Sequence, residues 1–241
     1  QSAKLWINKA ISLHALHSYE ESLMCYQKGY SIEPDSDYLL GDYIHAKLLV
    51  CDWKGIDDLI SMAEVAVANG RKVASPFAFL SISDSPALQQ KVCELASQTL
   101  KPIQEKIDFG FDSCSFNDNR KIRLGYFSSD FYNHPVSYLT AELFELHDRS
   151  KFEVIAFNLS PEIHDDEMQR RLRKTFDQFH DVGQNSDEQI AKISQDLKID
   201  IAIDLGGHTK NSRLQIFANR AAPIRGSPPA WRAAGHCGCG L

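Results

Sequence analysis

The chain has 241 residues, 43% of them hydrophobic and 24% charged, with a formal net charge of −6 and a pI near 5.8. That length can hold a real core in one large or two small domains, and the acidic balance gives no support for broad nucleic-acid binding. No apolar run approaches the ~20 residues of a membrane helix, and no basic-then-apolar signal segment opens the chain.

In chain order, residues 3–33 read as a helical hairpin. Trp6, Ala10, Leu13, Ser22, Tyr26, Gly29 and Pro34 fall at the spacings of one tetratricopeptide repeat. Ala10 and Ser22 are small where the helices must approach, and Trp6, Leu13 and Tyr26 fill the space between them. Pro34 cannot continue a helix and starts the next unit. One repeat cannot bury its own face, and the chain begins at Gln1 rather than Met, so further repeats are expected upstream. Helical spacing continues through Leu40, Ile44, Lys47, Leu48 and Cys51, and again through Ile56, Leu59, Ile60 and Ala63. Gly70 is the expected C-cap of that run. SPFAFL at Ser75–Leu80 reads as irregular, and Ser85-Pro86 opens a helix expected to reach about Lys106. Asp108–Arg120 is polar and turn-rich, which sets the expected domain boundary there.

From Lys121 onward strands alternate with helices. Ile122–Phe127, Phe152–Leu159, Phe179–Val182 and Ile199–Leu205 read as strands, and Pro223-Ile224 begins a further one. Between them, Val136, Leu139, Leu143 and Leu146 form one helix face, Met168, Leu172 and Phe176 a second, Ile190, Ile193 and Leu197 a third, and residues 211–220 a last helix. Such alternation predicts an α/β fold, a doubly wound parallel sheet with right-handed crossovers. The segment Gly226–Leu241 breaks this order and reads as a disordered or frame-shifted end. The expected division is therefore a repeat at 1–35, a helical linker region at 36–110, a Rossmann-like half at 121–225 and an atypical tail at 226–241.

Of the six cysteines, Cys25, Cys51, Cys93 and Cys114 stand alone and read as reduced thiols of a cytoplasmic protein. His236, Cys237 and Cys239 lie close together, but Cys-x-Cys without a second pair is a weak zinc signal.

Two strands end in loops that carry imidazoles: SSDFYNHP after the first, and GGHT, Gly206–Thr209, after the fourth. Open α/β sheets place ligands at that edge. No G-x-G-x-x-G follows the first strand and no Walker A sequence occurs, which disfavours a nicotinamide or flavin enzyme. Pro135 pushes His134 toward an extended conformation and suits the first helical turn. The ring should project at the sheet edge near a helix N-terminus, where positive potential favours its neutral form. A neutral imidazole accepts a proton from a hydroxyl or hydrogen-bonds a sugar; the alternative is a structural His satisfied by backbone groups. The N–H groups of Gly206 and Gly207 could face an anion or sugar, and a simple tight turn accounts for them as well. Asp130 and Asp204 close their strands as caps or loop anchors. His14, His17, His45 and His147 lie on predicted helices and need no special role.

GYFSSDFYNHPVSYL at Gly125–Leu139, KFEVIAFNLSP at Lys151–Pro161 and IDLGGHTKNSRLQIFANRAAPI at Ile203–Ile224 resemble the catalytic region of the protein O-GlcNAc transferase family, SPINDLY-like members included. YLLGDYIHAKLLVCDW at Tyr38–Trp53 resembles the segment that joins repeats to that region in bacterial members. The resemblance implies a GT-B glycosyltransferase, inverting and metal-independent, without a cofactor. Its donor substrate would be UDP-GlcNAc and its acceptors Ser or Thr hydroxyls of proteins held by the repeats. Carried over by motif, His134 is the active-site histidine. Asn133, Ser137, Gly207, His208 and Thr209 are the substrate-contact candidates, with Tyr in some relatives at the position of His208. After Ile224 the family pattern is not followed, so the donor-binding half is expected to lie outside these residues, and the chain alone to be inactive. The rival reading is a repeat-based peptide-binding module without catalysis.

Overall fold

The computed structural model describes residues 2–100, 120–209 and 211–226, which fall into two compact units. The expected boundary at Asp108–Arg120 and the readings of residues 227–241, Cys114, His236, Cys237 and Cys239 lie outside the described residues, Arg120 excepted.

The first unit is helical. α1 (Ala3–Ala15) and α2 (Tyr19–Ile32) form the predicted hairpin. Ala10 and Ser22 are both fully buried, and the Ser22 hydroxyl donates to the Ala10 carbonyl at 2.8 Å. At Gly29 an added Cβ would sit 3.3 Å from the Ile7 side chain, tighter than ordinary packing. Tyr26 is buried, whereas Trp6 and Leu13 are only partly so. α3 (Leu39–Leu49) and α4 (Ile56–Ala68) follow. Gly70 takes a φ of +81° after α4; its N–H reaches the Val67 carbonyl and the Arg71 N–H that of Ala66, a Schellman cap. SPFAFL is not irregular: Ser75 caps a single helical turn, α5 (Pro76–Phe79), and Phe79 anchors it in the core with Ile44, Val67 and Val92. α6 (Pro86–Ser97) ends well before Lys106.

The second unit is α/β. Five parallel strands stand in the order β3-β2-β1-β4-β5: β1 (Ile122–Ser128), β2 (Phe152–Asn158), β3 (Gln178–Asp181), β4 (Ile201–Asp204) and β5 (Ile224–Gly226). Gly125 lies opposite Ile155 on β2, and Phe127 opposite Asp204 on β4. The connecting helices are α7 (Pro135–Leu146), α8 (Glu167–Thr175), α9 (Asp187–Asp196) and the short α10 (Gln215–Ala218). Strand residues alternate between two cores. Phe127, Ile155 and Phe157 pack with Ile190 of α9 and Ile216 of α10 on one face. Tyr126, Val154 and Ala156 pack with Phe144 of α7 and Leu172 of α8 on the other. The rings of Phe127 and Phe157 stack at 4.2 Å across adjacent strands. Each contributes on the order of 1.5–3 kcal/mol by burial.

Two helix readings are corrected. α7 buries Ser137, Thr140, Ala141 and Phe144, while Leu139, Leu143 and Leu146 face outward. Phe144 fills the core beneath α7, and the three small side chains are buried beside it. The last helix is four residues rather than 211–220. Arg213 is tied to the Asp187 carboxylate at 2.6 Å and the Asn185 carbonyl at 2.6 Å, and Asn211 has a φ of +63°. These long-range anchors hold the preceding residues in a loop.

Candidate active site

The strand order places β1 and β4 side by side at the centre of the sheet. From β1 the chain moves outward through β2 and β3; from β4 it moves the other way to β5. The two connections part at the carboxyl ends of β1 and β4, and such a switch point leaves a crevice where α/β proteins bind ligands. The loops bearing His134 and His208 leave from these two strand ends.

The β1 loop is fastened from several sides. The Asp130 N–H donates to Ser128 Oγ at 3.0 Å, and the Asp130 carbonyl accepts from Ser137 Oγ at 2.6 Å and from the Tyr132 N–H at 2.8 Å. His134 is the N-cap of α7, with extended backbone (φ −137°, ψ 148°), and Pro135 takes the first helical position as expected. Its Nδ1 accepts the Val136 N–H at 3.3 Å, and the Asp130 carboxylate lies 3.8 Å from the same nitrogen. The side chain remains about one-third exposed. Asn133 donates its backbone N–H to Asp166 Oδ2 at 3.0 Å, and its side-chain carbonyl takes the Tyr138 hydroxyl. Tyr132 stacks on His164, with centroids 4.0 Å apart and planes within 11°. Burial, then the nearby charges of Asp130, Glu162 and Asp166, raise the Tyr132 phenol.

Asp166 is a residue the sequence reading missed. Its Oδ1 caps α8 by accepting the Gln169 N–H at 2.9 Å while Oδ2 holds Asn133. Desolvation opposes its ionisation, but hydrogen bonds from Gln169, Asn133 and Met168 outweigh it and hold the carboxyl below its ordinary range. The signal was present: Asp166 and Gln169 stand at N-cap and N3 spacing.

The β4 loop answers one expectation differently. The N–H groups of Gly206 and Gly207 do not stand open to an anion. Asp204 accepts both, at 3.0 Å each, through its two carboxylate oxygens. Gly207 has a φ of +57°, a conformation costly for residues with a Cβ. Its carbonyl takes the Ser212 hydroxyl, and the Thr209 hydroxyl donates to the Gly206 carbonyl at 2.7 Å. Gly207 therefore shapes the turn, and Thr209 braces it while remaining exposed. His208 is half-buried between them. Ser137 is also reassigned: it is fully buried and its hydroxyl holds the Asp130 carbonyl, so it positions the loop and does not face a ligand. Asn133 and His134 keep solvent-facing surface. Among the described residues, no three His, Cys, Asp or Glu side chains gather in a way that could hold a metal ion.

The glycosyl transferase family 41 model matches residues 79–230. The probable UDP-N-acetylglucosamine–peptide N-acetylglucosaminyltransferase SEC of Arabidopsis thaliana is 42% identical over 106 residues, 44% of this chain and 11% of that protein. A UDP-N-acetylglucosamine–peptide N-acetylglucosaminyltransferase of Caenorhabditis elegans is 38% identical over 117 residues, 47% of this chain and 10% of that protein. The probable SPINDLY transferase of Arabidopsis thaliana is 34% identical over 110 residues, 44% of this chain and 12% of that protein. These alignments span about a tenth of the length of the curated relatives. A solved O-GlcNAc transferase mutant from Thermobaculum terrenum shares the fold, with a TM-score of 0.60 over 93% of this chain and 43% of its own, at 20% identity. With more than half of its residues matched by the family model, this chain belongs to glycosyl transferase family 41.

Proposed function

We propose that this chain supplies one wall of the catalytic cleft of a protein O-GlcNAc transferase. The reaction moves N-acetylglucosamine from UDP-GlcNAc to a Ser or Thr hydroxyl of a polypeptide, with inversion and without a metal. The observation that carries the reading is the switch point of a family 41 sheet, with an N-cap histidine on one flanking loop and the Gly-Gly-His turn on the other. The acceptor hydroxyl attacks the anomeric carbon as UDP departs from the opposite face, and the hydroxyl proton is released to solvent. Charge develops on the attacking and leaving oxygens, and preorganised polar groups lower the barrier by stabilising it.

Within this chain His134 is the group offered to those oxygens. Its backbone is fixed by α7 and its loop by Asp166 and Ser137, so little reorganisation is needed at the moment of reaction. His208 contributes mainly to substrate binding from the facing loop, and the Asp204 carboxylate holds that loop's turn. The helical hairpin of the first unit is the proposed repeat that receives the polypeptide acceptor. Cys25, Cys51 and Cys93 are in no disulfide, which suits a reducing cytoplasm. No helix among the described residues is long and apolar enough to cross a membrane.

The test is incubation of the protein carrying this chain with UDP-GlcNAc and Ser/Thr-containing peptides, read by mass spectrometry. The expected product carries one N-acetylhexosamine on a hydroxyl side chain. A folded protein that hydrolyses or transfers nothing from UDP-GlcNAc under any peptide condition refutes the reading.

A further inference from the structure

A neutral imidazole has one nitrogen that donates and one that accepts, and a partner of fixed character at either nitrogen settles the role of the other. At His134 that partner is a backbone amide. The Val136 N–H, which can only donate, points at Nδ1 from 3.3 Å. The lone pair must therefore sit on Nδ1. The group that could reverse this is Asp130, which would accept a proton from Nδ1. Its Oδ2 is 3.8 Å away, beyond hydrogen-bond distance, while Oδ1 accepts from Ser129 Oγ at 3.0 Å. The Asp130 main chain is held by Ser128, Tyr132 and Ser137.

From this geometry we infer that neutral His134 carries its proton on Nε2 and enters the cleft as a hydrogen-bond donor to a substrate oxygen, not as the base that takes the proton of the attacking hydroxyl. The inference rests on the transferase reading for its substrate, but the tautomer itself is a property of the chain. Asp130 is then a loop anchor, and not the acidic partner of a proton-accepting histidine.

The 241-residue chain, labelled with ¹⁵N and ¹³C, is examined by two-bond ¹H–¹⁵N correlation at about pH 8.5, above the ordinary imidazole range. The ring nitrogens of His134 are assigned through bonds from its own Cβ, so the wild-type tautomer is read without any variant. The expected pattern is a protonated Nε2 and a bare Nδ1, unchanged in Asp130→Asn. The reversed pattern, a pair of averaged shifts, or a switch of tautomer in Asp130→Asn overturns the inference. In the active protein, His134→Gln places an amide N–H₂ near the position of Nε2. It should transfer sugar at least ~10-fold faster than His134→Ala, because a donor can be replaced by a donor. Equal rates for the two variants also overturn it. A wild-type protein without transfer activity refutes the functional reading and leaves the tautomer to be decided by the spectrum.

Discussion

Asp166→Ala should loosen the His134 loop by an amount that can be built from its two hydrogen bonds. Loss of a carboxylate N-cap costs about 1 kcal/mol, and the cap here is a 2.9 Å contact with the Gln169 amide. The second bond, 3.0 Å to the Asn133 amide, is charge-assisted but exposed, so water replaces part of it and about 0.5–1 kcal/mol is lost. The sum, about 1.5–2 kcal/mol, corresponds to roughly a 10–30-fold change in an opening equilibrium. Hydrogen exchange read amide by amide is the assay, because a two-unit chain does not give a single unfolding free energy. Protection should fall by roughly 10–30-fold at both Asn133 and Gln169, and less in the sheet interior. In Asp166→Asn one acceptor oxygen remains, so one of the two amides should keep its protection. The pH dependence has a definite sign. The folded carboxyl lies below its ordinary range, so its contribution is full above about pH 4 and is lost as pH falls through the folded value. Unchanged protection at both amides in Asp166→Ala would show that the carboxylate does not couple the loop to α8.

Further outcomes follow from the same contacts. Gly207→Ala should cost about 1 kcal/mol, because it forces a Cβ onto a φ of +57°; a melting temperature equal to wild type refutes the strained turn. Trp6→Ala should destabilise the hairpin by about 2–3 kcal/mol, less than the ~3–5 of a fully buried aromatic, since Trp6 is only partly buried. No change in the unfolding of the first unit would place its ring outside the core. Burial raises the Asp42 carboxyl to about 6. Its ionisation therefore opposes folding above that pH, and the opposition fades as pH falls from about 6 toward 4. Asp42→Asn should stabilise the first unit at pH 7 by about 1–3 kcal/mol and by less at pH 4.5; equal effects at the two pH values contradict the assignment.

What was legible in the sequence was mostly local. Pro135 announces a helix start and restricts the residue before it, and His134 is indeed an extended N-cap. Gly70 after an apolar helical run becomes a Schellman cap, and Ala10 with Ser22 marks where two helices touch. The order of strands and helices also carried through, including β5 at Ile224. Some of the misreadings have a different cause, since they depended on partners distant in the chain. The leucines of α7 suggest a buried face, yet Leu139, Leu143 and Leu146 are exposed while Phe144 fills the core. Exposed leucines are common enough that periodicity alone does not choose the face. α10 is shortened by Arg213 reaching back to Asp187. Ser137 resembled a substrate contact by motif, but its hydroxyl is used inside the loop. The Asp204 clamp on Gly206 and Gly207 is local and was open to inference. A carboxylate two and three residues before paired glycines tends to take their amides before any ligand does.

The most direct test of the central claim is steady-state transfer from UDP-GlcNAc to a peptide by the protein carrying this chain, wild type against His134→Ala. The account predicts a fall in kcat of about 10²-fold or more, the scale of losing a positioned polar group from the reacting oxygens, while the protein stays folded with no more than the roughly 1 kcal/mol lost with the α7 N-cap. His134→Ala turning over at the wild-type rate with its fold intact would contradict it, and would leave the imidazole a helix cap and nothing more.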